Sequence, residues 1–108
     1  MIQLTVLYGH PQDPAAFDRH YQETHAVLAQ TIPGLKGFVV SKLATLDPHE
    51  PSPYYMVATL YFESMAALQS ALQSPEGQKT AGDVPNFATG GSTLMVGEVE
   101  AFTPVSIR

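Results

Sequence analysis

Four histidines, His10, His20, His25 and His49, carry the side chains whose ordinary pKa lies nearest neutrality, so acid/base chemistry in this chain starts from them. Cysteine is absent, which removes disulfides, thiolate metal sites and cysteine nucleophiles together. Only His20 and His25 fall on one predicted helix. Five residues apart, they diverge by about 140° on an α-helix, whereas histidines that chelate one metal sit four apart. With no HExxH string and no compact His/carboxylate cluster, no metal site is predicted. His25 stands one turn after Tyr21, so a helix presents a phenol and an imidazole side by side, an acid/base pair if the position is sheltered. The competing reading is packing, with the imidazole at a helix edge satisfied by a carbonyl or water. His20, with Glu23 and Thr24 one turn on, reads as a solvated surface pair. His10 and His49 read as surface loop residues.

Tyr54, Tyr55 and Tyr61 put phenols on both faces of one predicted strand, and Tyr8 ends another. Aromatic residues are ordinary core, but a buried phenol needs a hydrogen-bond partner. Several on one sheet therefore also fit an apolar pocket with a few polar groups, to which Gln3 and Thr5 could add. Gly90-Gly91 lies in no GxGxxG or GK[ST] string and leads into a strand, so it reads as a turn. Ser52, Ser64 and Ser92 lie in no GxSxG string, which leaves a serine hydrolase without support.

The elements that must position these residues follow from periodicity. Ile2, Leu4, Val6 and Tyr8 alternate with Gln3, Thr5 and Leu7, the pattern of a strand. Asp13-Pro14 starts a helix whose stripe is Phe17, Tyr21, Thr24, His25, Leu28 and Ile32, and Pro33-Gly34 stops it. Strand two is predicted over Gly37 to Leu46, closed by a Pro-rich loop, and strand three over Tyr54 to Phe62. Strand three is apolar on both faces, so it should be central and covered on both sides. Ser64 caps a second helix with inward Met65, Leu68 and Leu72. Ser74-Pro75-Glu76 starts a short extra turn, and Gly82 to Asn86 reads as irregular. Thr93 to Phe102 is the last strand. The order, β-α-β twice, predicts one domain over residues 1–108, α+β and ferredoxin-like, a four-stranded antiparallel sheet with helices on one face.

Hydrophobic residues form 44% of the 108 and charged ones 14%, against a usual charged share of about a quarter, so the chain is short of charge for a free surface. Two helices cover one face of such a sheet, and the apolar second face predicts sheet-on-sheet pairing into a homodimer. A formal charge of -5 has the wrong sign for a phosphate backbone, so no nucleic-acid partner is expected. The longest apolar run, Tyr54 to Phe62, is too short to span a bilayer, and the first residues read as a strand, not a signal peptide. The expectation is a cytoplasmic protein with no membrane partner.

The string His20-Tyr21-Gln22-Glu23-Thr24-His25-Ala26-Val27-Leu28, followed by Ile32-Pro33-Gly34-Leu35, resembles the HYxxxHxPL and PGL pattern of EthD-like proteins in the dimeric α+β barrel superfamily. Ser74-Pro75-Glu76-Gly77-Gln78 through Asp83 and Asn86-Phe87 is similar to the same family. Val27 stands where that family usually has proline. The resemblance implies a ferredoxin-like protomer, two of which pack sheet to sheet into a barrel with a cavity between sheet and helices. It makes His25 the functional histidine with Tyr21 its neighbour, and it adds Asn86 and Phe87 to Tyr8, Tyr55 and Tyr61 as expected ligand-binding residues. The family is named from ethyl tert-butyl ether degradation clusters, and its superfamily includes cofactor-independent monooxygenases, cyclases, isomerases and haem enzymes, so fold analogy supplies a menu of activities.

Two readings of function stand on these residues. One is a small enzyme of a degradative or secondary-metabolic pathway, a cofactor-independent monooxygenase, isomerase or cyclase that binds an apolar or aromatic molecule in the barrel cavity and uses His25 as acid/base. The other is a non-enzymatic carrier or accessory protein that shelters a hydrophobic intermediate for a partner oxygenase. Haem bound through a histidine is a third, spectroscopically testable case. The expectation carried forward is that no cofactor is used.

Overall fold

The structure is a computed structural model and describes residues 1–103. Strand β1 (Ile2–Tyr8) is followed by helix α1 (Pro14–His20), which runs through a π-helical turn (Tyr21–His25) into α2 (Ala26–Ala29). Strands β2 (Gly37–Lys42) and β3 (Met56–Phe62), helices α3 (Met65–Gln73) and α4 (Pro75–Asp83), a 3-10 turn (Val84–Asn86) and strand β4 (Ser92–Glu98) complete the order. The caps lie where the sequence signals put them. Asp13, Ser64 and Ser74 each accept a hydrogen bond from a backbone N–H in the first turn of α1, α3 and α4.

All strand pairs are antiparallel, in the order β2-β3-β1-β4, which is the ferredoxin-like arrangement. Registers such as Leu4↔Leu60 and Val6↔Ala58 put one set of alternate residues under the helices, where Leu4, Val6, Tyr8, Met56, Ala58, Leu60 and Phe62 are buried. Phe17, Tyr21, Ala29, Ile32, Leu68 and Ala71 close over them from the helices.

The expected barrel is not present. The sheet is open, with β2 and β4 as its two edges, and it does not close into a barrel. The expected barrel drew its strands from two protomers; this single sheet of four leaves both edges unpaired, short of the roughly eight strands at which a closed sheet has an interior that side chains can fill. The large cavity consequently lies inside one chain, between sheet and helices.

Several element boundaries also move. Strand β2 ends at Lys42 and β3 begins at Met56 because the intervening Pro48, Pro51 and Pro53 cannot continue a ladder. Strand β4 ends at Glu98 because its partner β1 starts at Ile2, opposite Glu98. The predicted extra turn after Ser74 is a full nine-residue helix, α4, that packs on α3 and α2. Gly77 permits that packing, since a Cβ there would collide with the Ala71 carbonyl at the end of α3. On α3 the buried positions are Leu68 and Ala71, whereas Met65 and Leu72 are exposed; α4 occupies part of the surface that the predicted stripe would have claimed.

Candidate functional site

A cavity of about 320 Å³ lies between the helix-covered face of the sheet and the helices. Leu4, Val6, Ala58 and Leu60 form its floor, Ala29, Ile32 and Val84 its roof, and the exposed Leu72 and Leu94 its rim. Its polar side chains are those of Tyr8, Tyr21, His25, Thr80 and Ser92. That volume lies near the lower end of the roughly 300–1,000 Å³ typical of small-molecule sites.

His20 and His25 do not diverge. The π-helical turn between them closes with the Ala26 N–H donating to the Tyr21 carbonyl, and this i→i+5 geometry brings residues five apart onto one side of the helix. The two imidazoles meet at Asp83, the last residue of α4. His25 Nδ1 donates to Asp83 Oδ2 at 3.0 Å, and His20 Nε2 lies 2.8 Å from Oδ1 and 3.0 Å from Oδ2. Asn86 Nδ2 donates to Oδ1 at 3.0 Å. The reading of His20 as a solvated surface pair is corrected by this contact, which an α-helical projection could not show.

An ionised carboxylate only accepts hydrogen bonds, so Asp83 holds the proton of His25 on Nδ1 and leaves Nε2 with its lone pair. Nε2 has no protein partner among the described residues and is not sealed from space, on a side chain that lines the cavity. Burial draws the His25 imidazole below the ordinary histidine range against the upward pull of Asp83. Burial also acts to raise the Asp83 carboxyl, but the hydrogen bonds from Asn86, His20 and His25 outweigh it and hold it below the usual carboxylate value. The site is a neutral imidazole backed by a carboxylate, an arrangement that can take up a proton at Nε2 and stabilise the resulting cation.

Phe87 braces this network. Its ring lies 4.6 Å from that of His25 and 5.4 Å from that of His20, stacked on the latter, and it also meets Tyr8, Phe17 and Tyr21. The Tyr8 and Tyr21 rings pack edge to face at 5.8 Å. Burial pushes the Tyr8 phenol up to about 12, and burial with the adjacent Tyr8 raises Tyr21 as well, so both stay protonated donors at neutral pH.

The remaining predicted residues lie elsewhere. Tyr55 donates to Asp18 at 2.8 Å and accepts from Lys42 at 3.0 Å, forming a separate polar cluster that does not line the cavity. Tyr61 is on the opposite face of β3, beside Gly37. Asn86 and Phe87 act on the site from behind, through Asp83 and the imidazoles. His10 contacts the Ser52 carbonyl at 2.7 Å, and His49 is exposed. The one functional group that sequence reasoning missed is Asp83. Its only signal was its place in the second family-like segment, 58 residues from His25.

Residues 9–91 match the EthD domain family, a span that contains every member of the network. The chain belongs to the EthD family. An "uncharacterized 11.0 kDa protein in thcB-thcC intergenic region" of Rhodococcus erythropolis is 48% identical over 104 residues, 96% of this chain and 100% of that one. The solved structure of an EthD family protein from Bacillus halodurans superposes with a TM-score of 0.86 at 37% identity, over 93% of this chain and 99% of the other. A protein from Jannaschia sp. CCS1, described as dimeric and ferredoxin-like, shares the fold at 20% identity, with a TM-score of 0.66 over 92% and 100% of the two chains. The two EthD-like strings of the sequence prove to be the two halves of one site: His20 and His25 from the first are hydrogen-bonded to Asp83 from the second, which Asn86 also holds, and the Tyr21 and Phe87 rings pack against the imidazoles. Val27, the departure from the EthD pattern, is exposed and does not line the cavity.

The depressed pKa of His25 sets a pH dependence with a definite sign. Unfolded histidine titrates near 6.5. Below that the unfolded chain binds a proton that folded His25 still refuses, so this contribution is complete above about pH 6.5 and is lost as pH falls towards the folded value. Asp83, also depressed, adds stability above its unfolded value of about 3.9 that disappears as pH falls through the folded one. Urea unfolding across pH 5 to 8 should show midpoints falling below about 6.5, and His25→Gln should flatten that decline; an unchanged slope in the variant would contradict the assignment.

Proposed function

We propose that this EthD-family protein binds an apolar or aromatic small molecule in the cavity and that His25 moves a proton on it, with Tyr8 and Tyr21 orienting the ligand. The supporting observation is the 3.0 Å contact of His25 Nδ1 with Asp83 on an imidazole that lines an apolar cavity. His25 Nε2 takes a proton from an acidic position of the ligand, Asp83 stabilises the imidazolium, and the same proton returns at another atom. The net change is an isomerisation, and neither a cofactor nor a co-reactant enters the balance. Isomerisations and ring closures of unsaturated carbonyl compounds in a cytoplasmic degradative or secondary-metabolic pathway require this step.

A homodimer belongs to the same proposal. The outward face of the sheet presents Leu7, Val39, Val57, Tyr61 and Met95 among the uncharged polar Gln3, Thr5, Ser41, Thr59 and Thr93, and Met95 is 48% exposed. An apolar face of this kind is covered by a second copy, as the description of the Jannaschia protein as dimeric supports. Light scattering at micromolar concentration should give twice the chain mass.

The test of the chemistry uses 2-tetralone, a neutral bicyclic ketone with acidic C–H groups, in deuterated buffer. The protein should accelerate deuterium uptake at those carbons by at least tenfold over buffer, and His25→Ala should remove the acceleration. Saturable binding with no exchange above the buffer rate would overturn the acid/base role and favour the carrier reading.

A further inference from the structure

The cavity states which ligands it tolerates. Among the described residues, none that lines it is a lysine or arginine, so an anionic ligand would leave water with no cation there to meet it. The Asp83 carboxylate stands behind His25 and repels a second anion. The Thr80 hydroxyl is spent, donating to the Glu76 carbonyl at 2.8 Å, which leaves the uncharged hydroxyls of Tyr8, Tyr21 and Ser92 as the donors of the lining. Asp83 fixes the proton of His25 on Nδ1, so the imidazole offers the cavity an acceptor and not a donor. A ligand that cannot donate there leaves a nearly enclosed lone pair unsatisfied.

We infer that the cavity selects an uncharged aromatic ligand bearing a hydroxyl group, a phenol or an enol, which donates to His25 Nε2, and that it rejects the carboxylate and ether analogues of the same ring system. The inference rests on the reading of this cavity as a small-molecule site and sharpens it. The proposed proton movement leaves an enolate beside the His25 imidazolium, and return of that proton to the oxygen gives the enol, so binding and chemistry ask for the same group. Discrimination between phenol and ether arises at His25 Nε2, where the analogue without an O–H leaves an unmade bond and an unpaired acceptor together, while the Tyr8 and Tyr21 hydroxyls can donate to the oxygen of either.

Calorimetric titration of the full-length protein with 2-naphthol, 2-methoxynaphthalene and 2-naphthoate tests this. The expected result is 2-naphthol binding about tenfold more tightly than the methyl ether, the worth of one buried hydrogen bond, with 2-naphthoate weakest of the three. In His25→Phe the preference for naphthol over the ether should disappear while the ether still binds; circular dichroism establishes that the variant is folded, and the wild-type ranking stands as a test without it. Equal affinity for naphthol and ether, or naphthoate binding most tightly, overturns the inference and leaves the cavity as a small-molecule site. Failure of all three to bind overturns that underlying reading as well.

Discussion

Asp83→Asn should leave the fold in place and reduce proton transfer by about 10²- to 10⁴-fold, the range attributed to a positioned general base. The substitution is nearly isosteric, but it replaces an oxygen that accepts from His25 Nδ1 with an amide that can donate to it. An amide turned that way holds the imidazole proton on Nε2, so the cavity meets a donor where it had an acceptor. Nitrogen-15 NMR separates this effect from simple damage: the wild type should show Nδ1 protonated and the variant a shift towards protonated Nε2. The pKa of His25 should fall as well, because the carboxylate is what opposes burial. Unchanged tautomer and unchanged exchange in the variant would remove Asp83 as a positioning residue.

Phe87→Ala should cost about 3–5 kcal/mol, the usual price of emptying a well-packed aromatic site. The ring is buried and meets Tyr8, Phe17, Tyr21, His20 and His25 at centroid distances from 4.6 to 5.5 Å, so its removal leaves five aromatic faces beside a void. Total stability of an ordinary domain is only about 5–15 kcal/mol, which makes this one of the most damaging single changes available. Urea denaturation gives the value directly. Phe87→Leu keeps most of the apolar volume and should cost much less, about 1 kcal/mol, while still removing the ring that stacks on His20 and packs against His25. A loss below about 1 kcal/mol for the alanine variant would mean that the ring is not part of the core.

The two changes probe one network from different sides, and that network explains why the helix between Pro14 and Ala29 carries a π-helical turn. A regular α-helix would present His20 and His25 about 140° apart and could direct only one of them at the end of α4. The extra residue in the turn brings both to Asp83, and π-helical turns occur most often where function sets the geometry. His20 is half-buried, does not line the cavity and shares the carboxylate with His25, which makes it, with Asn86, a support for Asp83 and not a second base facing the cavity.

Much of the frame was legible because its causes are local. The alternation of β1, the Asp13-Pro14 start and the Ser64 and Ser74 caps each depend on a few neighbouring residues, and each operates as read, whereas the first helical segment ends at Ala29, ahead of the Pro33-Gly34 stop. His25 with Tyr21 was legible as a pair for the same reason, since one helical turn joins them. Asp83 was not. It ends a helix whose length the sequence understated, and its partners lie 58 and 63 residues away. The open edges of the sheet were hidden for a related reason, since strand alternation records which side chains share a face but not whether the outermost strands meet.

By itself, then, the amino-acid sequence determined the order of the elements, the apolar faces, the absence of thiol chemistry and the choice of His25 as the group to watch. Only the tertiary structure decided that the sheet stays open, that the cavity lies within one chain, and that a carboxylate from α4 sets the tautomer of that histidine. The division follows from range. Caps, stops and periodicities are energies between residues within one or two turns, whereas a hydrogen bond that closes over 58 residues exists only once two helices have packed.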